Sequence, residues 1–291
     1  MDLKQLVILA LQVSVVCLVF GFGLKTTPHD MSYLIRRPGL LVRSLLAVFV
    51  VMPVVAVLLS LLFEFGPTVE RALIALAVSP VPPLLPQKES RAGGDQNYAL
   101  GLMAIVALLA MAVMPLEILI LQSVAGRPLE MASGTVVRVV LISTLLPLAA
   151  GMAVRSFMPG QVARIEKLVA MITKVLLPLG LLLLLAGAAP AILALLGDVR
   201  VLIAMVIFLI VGLAVGHVLG RPDRNYSVVL ALSTACRHPA IALSIAAANF
   251  PEERFGATIL LYVLLGAIVC VPYLAWQRRP PRTAPRPARS C

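Results

Sequence analysis

Apolar residues fill this chain in long runs near the ~20 residues a helix needs to cross a bilayer. The runs fall at about 4–24, 39–63, 69–86, 96–123, 134–157, 165–190, 200–220, 225–250 and 255–277. They predict an all-α integral membrane protein of about nine transmembrane helices. Two of the runs are broken. Within 69–86 and just after it the chain reads AVSPVPPLLPQKESRAGG, where Pro80, Pro82, Pro83 and Pro86 each remove a backbone donor. Near the middle of 225–250 stands Cys236-Arg237-His238-Pro239. Backbone groups freed at membrane depth need protein or a water-filled cavity to satisfy them. Two interrupted segments in corresponding halves mark the solute site of a secondary transporter.

Loop charges set a direction. Lys25, Arg36, Arg37, Lys88, Arg91, Arg155, Arg164, Lys167, Arg221, Arg224 and the arginines of the tail fall on one side, against Lys4, Arg71, Arg127, Arg200 and Arg254 on the other. By the positive-inside rule the N-terminus is outside and the C-terminus cytoplasmic, in a multi-pass protein of the plasma (inner) membrane. The third and eighth spans then run in opposite directions. Spans 2–4 and 7–9 are therefore read as an inverted repeat.

Composition narrows the class. Hydrophobic residues make up 61% and charged residues 13%, and mean hydropathy is +1.04, far from the ~25% charged usage of soluble domains. A formal charge of +11 raises the question of nucleic acid, but Arg278, Arg279, Arg282, Arg286 and Arg289 cluster among prolines in a tail, 278–291, that reads as a disordered cytoplasmic end touching anionic lipid. Nucleic acid is not expected as a partner. The first apolar run is too long for a signal-peptide core and reads as a retained span. Cys17, Cys236, Cys270 and Cys291 lack metal or disulfide spacing. No nucleophile, base and orienting residue can be named, so an enzyme is not expected, nor any cofactor or metal.

Ionisable residues at bilayer depth are functional candidates unless they snorkel. Arg43 lies a turn from an interface and reads as snorkelling; Lys174 lies deeper on a stem long enough to reach out. Glu117 and Arg138 read as a structural pair. Arg237 and His238 lie about a dozen residues from either end of their span. There Pro239 opens the helix, and the half-helix that follows presents its positive end. Arg237 is either part of an anion pocket or an internal cation bonded to freed carbonyls or to a carboxylate on another span. His238 is either a proton carrier or a neutral hydrogen-bonding group. Ser79, Ser233 and Thr234 stand just before the breaks and satisfy freed backbone groups or reach solute. Gln87, Lys88, Glu89, Asp95 and Asn97 form a polar strip, read as a solvated loop or as the inner mouth of the pathway, with Gly93 and Gly94 turning the chain back.

Four segments, GFGLKTTPHDMSYLIRRPGLLVRSLLAVFVVMP (21–53), VERALIALAVSPVPPLLP (69–86), LISTLLPLAAGMAVRSFMPG (141–160) and RNYSVVLALSTACRHPAIALSIAAANF (224–250), resemble the bile acid:sodium symporter family in order and spacing. With lipid exposure setting aside the usual domain-length arithmetic, a single transmembrane unit is expected over 1–277, and the resemblance implies within it a panel domain (about 4–24 and 134–190) and a core domain (about 39–123 and 200–277) in which the broken helices cross. It also exposes departures. Where the family's sodium-coupled members carry Pro-Gly-Gly-x-x-Ser-Asn, this chain has Pro80-Val81-Pro82-Pro83-Leu84-Leu85-Pro86; where they carry Glu-x-Gly-x-Gln-Asn-Ser, it has Ser233-Thr234-Ala235-Cys236-Arg237-His238-Pro239. A guanidinium among sodium ligands repels the ion, so no sodium-binding residue is carried over.

The expected function is transport of a small organic solute, anionic on the strength of Arg237 and the half-helix dipoles, by alternating access. The coupling ion, proton or sodium, is left open. The alternatives are a sodium-coupled bile-acid-type symporter with a non-standard ion site and a non-transporting membrane receptor or partner subunit.

Overall fold

A computed structural model describes residues 3–82, 85–125, 138, 141–249 and 255–278. Among them there are helices and no strands. We label them α1 (Leu3–Lys25), α2 (Pro28–Ile35), α3 (Pro38–Phe63), α4 (Pro67–Val78), α5 (Leu85–Arg91), α6 (Gln96–Ala125), α7 (Leu141–Phe157), α8 (Val162–Leu196), α9 (Val199–Leu219), α10 (Arg224–Ala235), α11 (Pro239–Asn249) and α12 (Gly256–Gln277). The stretch Pro38–Phe63, Pro159–Leu196, α9 and α12 are each long and apolar enough to cross a membrane; Leu9–Lys25, Gln96–Ala110 and Leu141–Phe157 are shorter apolar helices. Residues 126–137, residues 250–254 at the end of the expected eighth span and the arginines beyond 278 lie outside the described residues.

Local chemistry sets the helix ends. Proline opens α3, α4 and α11, where its missing N–H costs nothing. Asp198 and Asp223 cap α9 and α10, accepting from the backbone N–H of Arg200 at 3.0 Å and of Asn225 at 2.7 Å. Both α3 and α7 widen to a π-turn, at Leu46–Val51 and Leu141–Leu145, just before Pro53 and Pro147. A proline ring clashes with the preceding turn, and a wider turn relieves it.

α1 lies along α7 and α8; α3, α4, α6 and α9–α12 surround the main core, which α8 joins through Ile192 and its packing on α12. Where α1 and α7 meet α6, a separate small cluster forms from Val15, Val19, Phe22, Leu100, Met103, Ala104 and Leu148. α8 exposes Leu168, Leu179, Leu182 and Leu193, as expected of a helix facing hydrocarbon.

Two close approaches depend on glycine. On α1 and α7, a Cβ on Gly23 would lie 2.3 Å from the Leu148 carbonyl oxygen, and one on Gly151 would lie 2.2 Å from that of Phe20. On α9, Gly212, Gly216 and Gly220 sit against Ala235, Ala231 and Ser227 of α10, with Cβ positions 2.7, 2.5 and 2.4 Å from their Cα atoms. Small residues every fourth position let backbones meet where hydrophobic force is weak between helices in lipid. The second stripe holds the first half of a broken helix against an unbroken one.

Candidate functional site at the helix crossing

The two breaks meet. α4 ends at Val78 and the chain runs extended through Ser79 and Pro80; α10 ends at Ala235, and Cys236, Arg237 and His238 are non-helical before α11 begins. The His238 backbone N–H donates to the Pro80 carbonyl and to Ser79 Oγ, each at 3.0 Å. Ser79 Oγ in turn donates to the Leu76 carbonyl at 2.7 Å. Tyr262 of α12 closes the other side, donating to the Ala235 carbonyl at 2.6 Å and accepting from the Arg237 N–H at 2.8 Å. Backbone groups freed by proline are thus paired with protein, as a buried break demands. Thr234 Oγ1 donates to the Leu230 carbonyl at 2.6 Å, which is backbone satisfaction. Pro239 begins α11 and Pro86 is the second residue of α5, both tolerated positions; Pro82 is half-buried between them and Pro83 lies outside the described residues.

His238 is buried. Its Nδ1 accepts from the Ile241 N–H at 3.3 Å, so the side chain caps the helix that it precedes. That bond assigns the proton of the neutral ring to Nε2. Nε2 has no partner, and His238 lines a gap of about 10 Å³ with Val19, Val81, Met103, Ala107, Thr144 and Leu148, at the lower limit of the room a single water needs. Thr144 Oγ1, buried and also without a partner, comes from the π-turn of α7. A donor at the crossing and a hydroxyl on α7 therefore line one gap. Thr144 was missed from the sequence. The available signal was a hydroxyl three residues before Pro147 in an apolar run, matching the hydroxyls before the other breaks.

Arg237 is 2% exposed, and its Nη2 donates to the Val48 carbonyl at 2.5 Å. In the five-residue register of the π-turn that carbonyl would look to residue 53, a proline with no N–H. The arginine takes the place of the missing donor. Its Nε and Nη1 have no hydrogen-bond partner, nor do both oxygens of the buried Glu117, whose charge acts on Arg237. Glu117 is therefore not paired with Arg138, which is exposed; its electrostatic partner is on the crossing. The contact that Arg237 makes is with the Val48 carbonyl, and Glu117 on another span acts on it electrostatically.

The polar strip after the first break divides. Lys88 and Asn97 are exposed, and Asp95 caps the start of α6, accepting from the Tyr98 N–H at 2.7 Å. The Gln87 side chain lies outside the described residues. Glu89 turns inward instead: it is fully buried, with Oε1 accepting from Ser233 Oγ at 2.7 Å. Gly93, with φ +89°, makes the expected reversal. At the same end Arg37 stacks on Tyr33 and donates to Tyr226, whose hydroxyl lies 2.9 Å from that of Tyr33. Arg43 donates to the carbonyls of Gly39 and Arg221 at 3.0 and 2.6 Å, and Lys174 is exposed.

A protein-family model, described as Sodium Bile acid symporter family, matches residues 12–195. The chain belongs to the sodium bile acid symporter family. The matched part holds the first break and the Thr144 turn; the second break, with Arg237 and His238, follows it. No curated protein matches the chain. Membership of this symporter family, together with the apolar helices, makes it an integral membrane protein of a solute-transporting family. The departures from the family's sodium-coupled motifs now have a spatial counterpart. Ser233, at the position where the resemblance implies a carboxylate, has the Glu89 carboxylate hydrogen-bonded to it from the other half of the chain.

Proposed function

We propose that this chain is a secondary transporter that moves a small organic anion by alternating access, with α1, α7 and α8 as a panel against which the remaining helices rock. The observation that carries the reading is the gap lined by two residues with unpaired polar atoms, His238 Nε2 at the crossing and Thr144 Oγ1 on α7. Unpaired buried polar atoms are rare, and a solute acceptor between the two groups would pair both. At about 10 Å³ the gap is too small for an organic solute. Parting α1, α7 and α8 from the remaining helices, along the small apolar cluster against α6 and the packing of α8 on α12, enlarges it from one side of the membrane at a time.

The anionic character of the solute rests on the Nε2 donor, on the N-terminal end of α11 and on the positive charge of Arg237 nearby. Arg237 acts by field and by holding the crossing to the Val48 carbonyl. It fills with a fixed charge a position that in the sodium-coupled members is part of the ion-binding motif, so transport is sodium-independent. The broken helices belong to inverted repeats, and the basic ends of the helices face the cytoplasm.

Uptake of a mixed pool of carboxylates into proteoliposomes, with and without sodium, tests this. Sodium-independent uptake lost in His238→Ala and reduced in Thr144→Val supports the reading. Uptake that strictly requires sodium removes the role given to Arg237, and a chain that moves no solute is better read as a receptor or partner subunit.

A further inference from the structure

Glu89 has no part in the solute gap, and its surroundings ask for a different explanation. It sits on α5, immediately after the first break, with no exposed surface. Oε1 is held by Ser233 Oγ of α10, just before the second break, and Oε2 is buried with no partner. A charged carboxylate removed from water without a cation is costly by several kcal/mol or more, and such a group ordinarily neutralises instead. Among the described residues no lysine or arginine pairs with it.

The neighbouring titratable and charged groups are few. On α6 and its entry turn they are Asp95, engaged with the Tyr98 N–H and the Tyr33 hydroxyl, and Tyr98, engaged with Ser44. Along α10 they are Arg224, bonded to Gln277, Tyr226 in the Tyr33 cluster, and Cys236 beyond its end, whose sulfur lies 3.8 Å from that of Cys270. Lys88 and Arg91 of α5 itself are exposed. None donates to Oε2.

We propose that Glu89 is a proton-carrying carboxyl, protonated while α5 and α10 are closed over it and deprotonated when their separation admits water, so that solute movement is linked to a proton. This rests on the transporter reading above. The step is a plain proton transfer: a hydronium ion in the admitted water gives up one O–H bond and leaves as water, the proton forms the O–H bond on Oε2, and Ser233 continues to donate to Oε1. The link between cargo and proton is mechanical, because α5 continues from the Ser79–Pro80 break and α10 leads into His238. Both halves of the crossing thereby meet at one neutral acid.

Infrared spectroscopy of the full-length protein in nanodiscs reads the proton directly. At neutral pH the wild type should show a carboxylic-acid C=O band that disappears in Glu89→Gln, an isosteric change that keeps an acceptor for Ser233, and that shifts in Ser233→Ala as its hydrogen bond is lost. Glu117→Gln separates the other buried acid. A spectrum of Glu89→Gln that has lost no acid band overturns the proposal. In proteoliposomes, an imposed one-unit pH gradient should concentrate solute from the carboxylate pool by up to about tenfold, the factor one pKa-scale unit represents. Glu89→Gln should lower that ratio to about one; an undiminished ratio, or one set by a sodium gradient in its place, overturns the proposal. If the wild type moves none of the pool, the transport reading fails, while the acid band alone still decides whether Glu89 holds the proton.

Discussion

Placing a single methyl group at Gly216 should separate two helices and unseat the second break. The Cβ of an alanine there would lie 2.4 Å from the Leu230 oxygen, 2.5 Å from the Ala231 Cα and 2.6 Å from the Ala231 nitrogen. All three are backbone atoms of α10, so no side chain can rotate away. Carbon contacts are comfortable at about 3.5–4.0 Å, so α9 and α10 must part locally by roughly 1 Å. Overpacking of this kind costs about 1–3 kcal/mol, and the absence of a flexible neighbour puts Gly216→Ala at the upper end. Elsewhere in a helix the same change gains up to about 1 kcal/mol through propensity, so the sign itself is diagnostic. At Gly256, the first residue of α12, a Cβ meets nothing within 4 Å, and Gly256→Ala serves as the control. The assay is thermal unfolding of the detergent-solubilised full chain. At ~2–4 °C per kcal/mol, Gly216→Ala should melt on the order of 5–10 °C below wild type, with Gly256→Ala unchanged or higher. Equal melting of the two variants would refute the backbone contact and, with it, the account of how α10 is held.

Other outcomes follow from named contacts. Arg237→Gln removes the donor to the buried Val48 carbonyl and the charge that acts on Glu117, and should cost about 1–3 kcal/mol in the same melting assay, whereas Arg237→Gln combined with Glu117→Gln should recover part of that loss; a double variant no better than the single one would show that the two do not interact. Gly151→Ala presses on the α1 backbone and should lower stability by about 1–3 kcal/mol, read by melting, with Gly160→Ala, whose Cβ meets nothing within 4 Å, as its control. The Tyr33 hydroxyl is pushed up to about 12 first by burial and then by its hydrogen bond with Tyr226; Tyr226→Phe removes the second cause, so alkaline absorbance titration against a Tyr33→Phe reference should show Tyr33 ionising at lower pH. Its contribution to stability is whole below the ordinary tyrosine value near 10 and is lost as pH rises through about 12; a Tyr33 titration unmoved by Tyr226→Phe would remove the hydrogen bond as a cause.

Much of the site was legible because prolines and charges are expensive in hydrocarbon. Four prolines in one apolar run and Arg237-His238-Pro239 in another have few structural solutions, and the crossing of Ser79–Pro80 with His238 is the one adopted. Ser79 serves the Leu76 carbonyl, whose helical donor Pro80 lacks, while Thr234 bonds back to Leu230 within its own helix. The sequence was less informative about partners. Glu117 stands about twenty residues from Arg138 along the chain and invites pairing with it, yet its charge acts on Arg237, over a hundred residues away. Glu89 stands in a charged stretch, QKESR, that reads as solvated, and no periodicity in seven residues of α5 distinguishes its inward side from the outward side of Lys88 and Arg91.

By itself the amino-acid order determines a membrane-embedded all-helical chain, the positions of its two breaks and the residue types gathered there, because each follows from local covalent chemistry and the length and polarity of a run. Which unsatisfied atoms face one another was decided only by tertiary structure. Thr144 meets the His238 gap, Val48 offers its carbonyl to Arg237 and Ser233 reaches Glu89. Those contacts join residues far apart in sequence, and their geometry is set by the packing of whole helices.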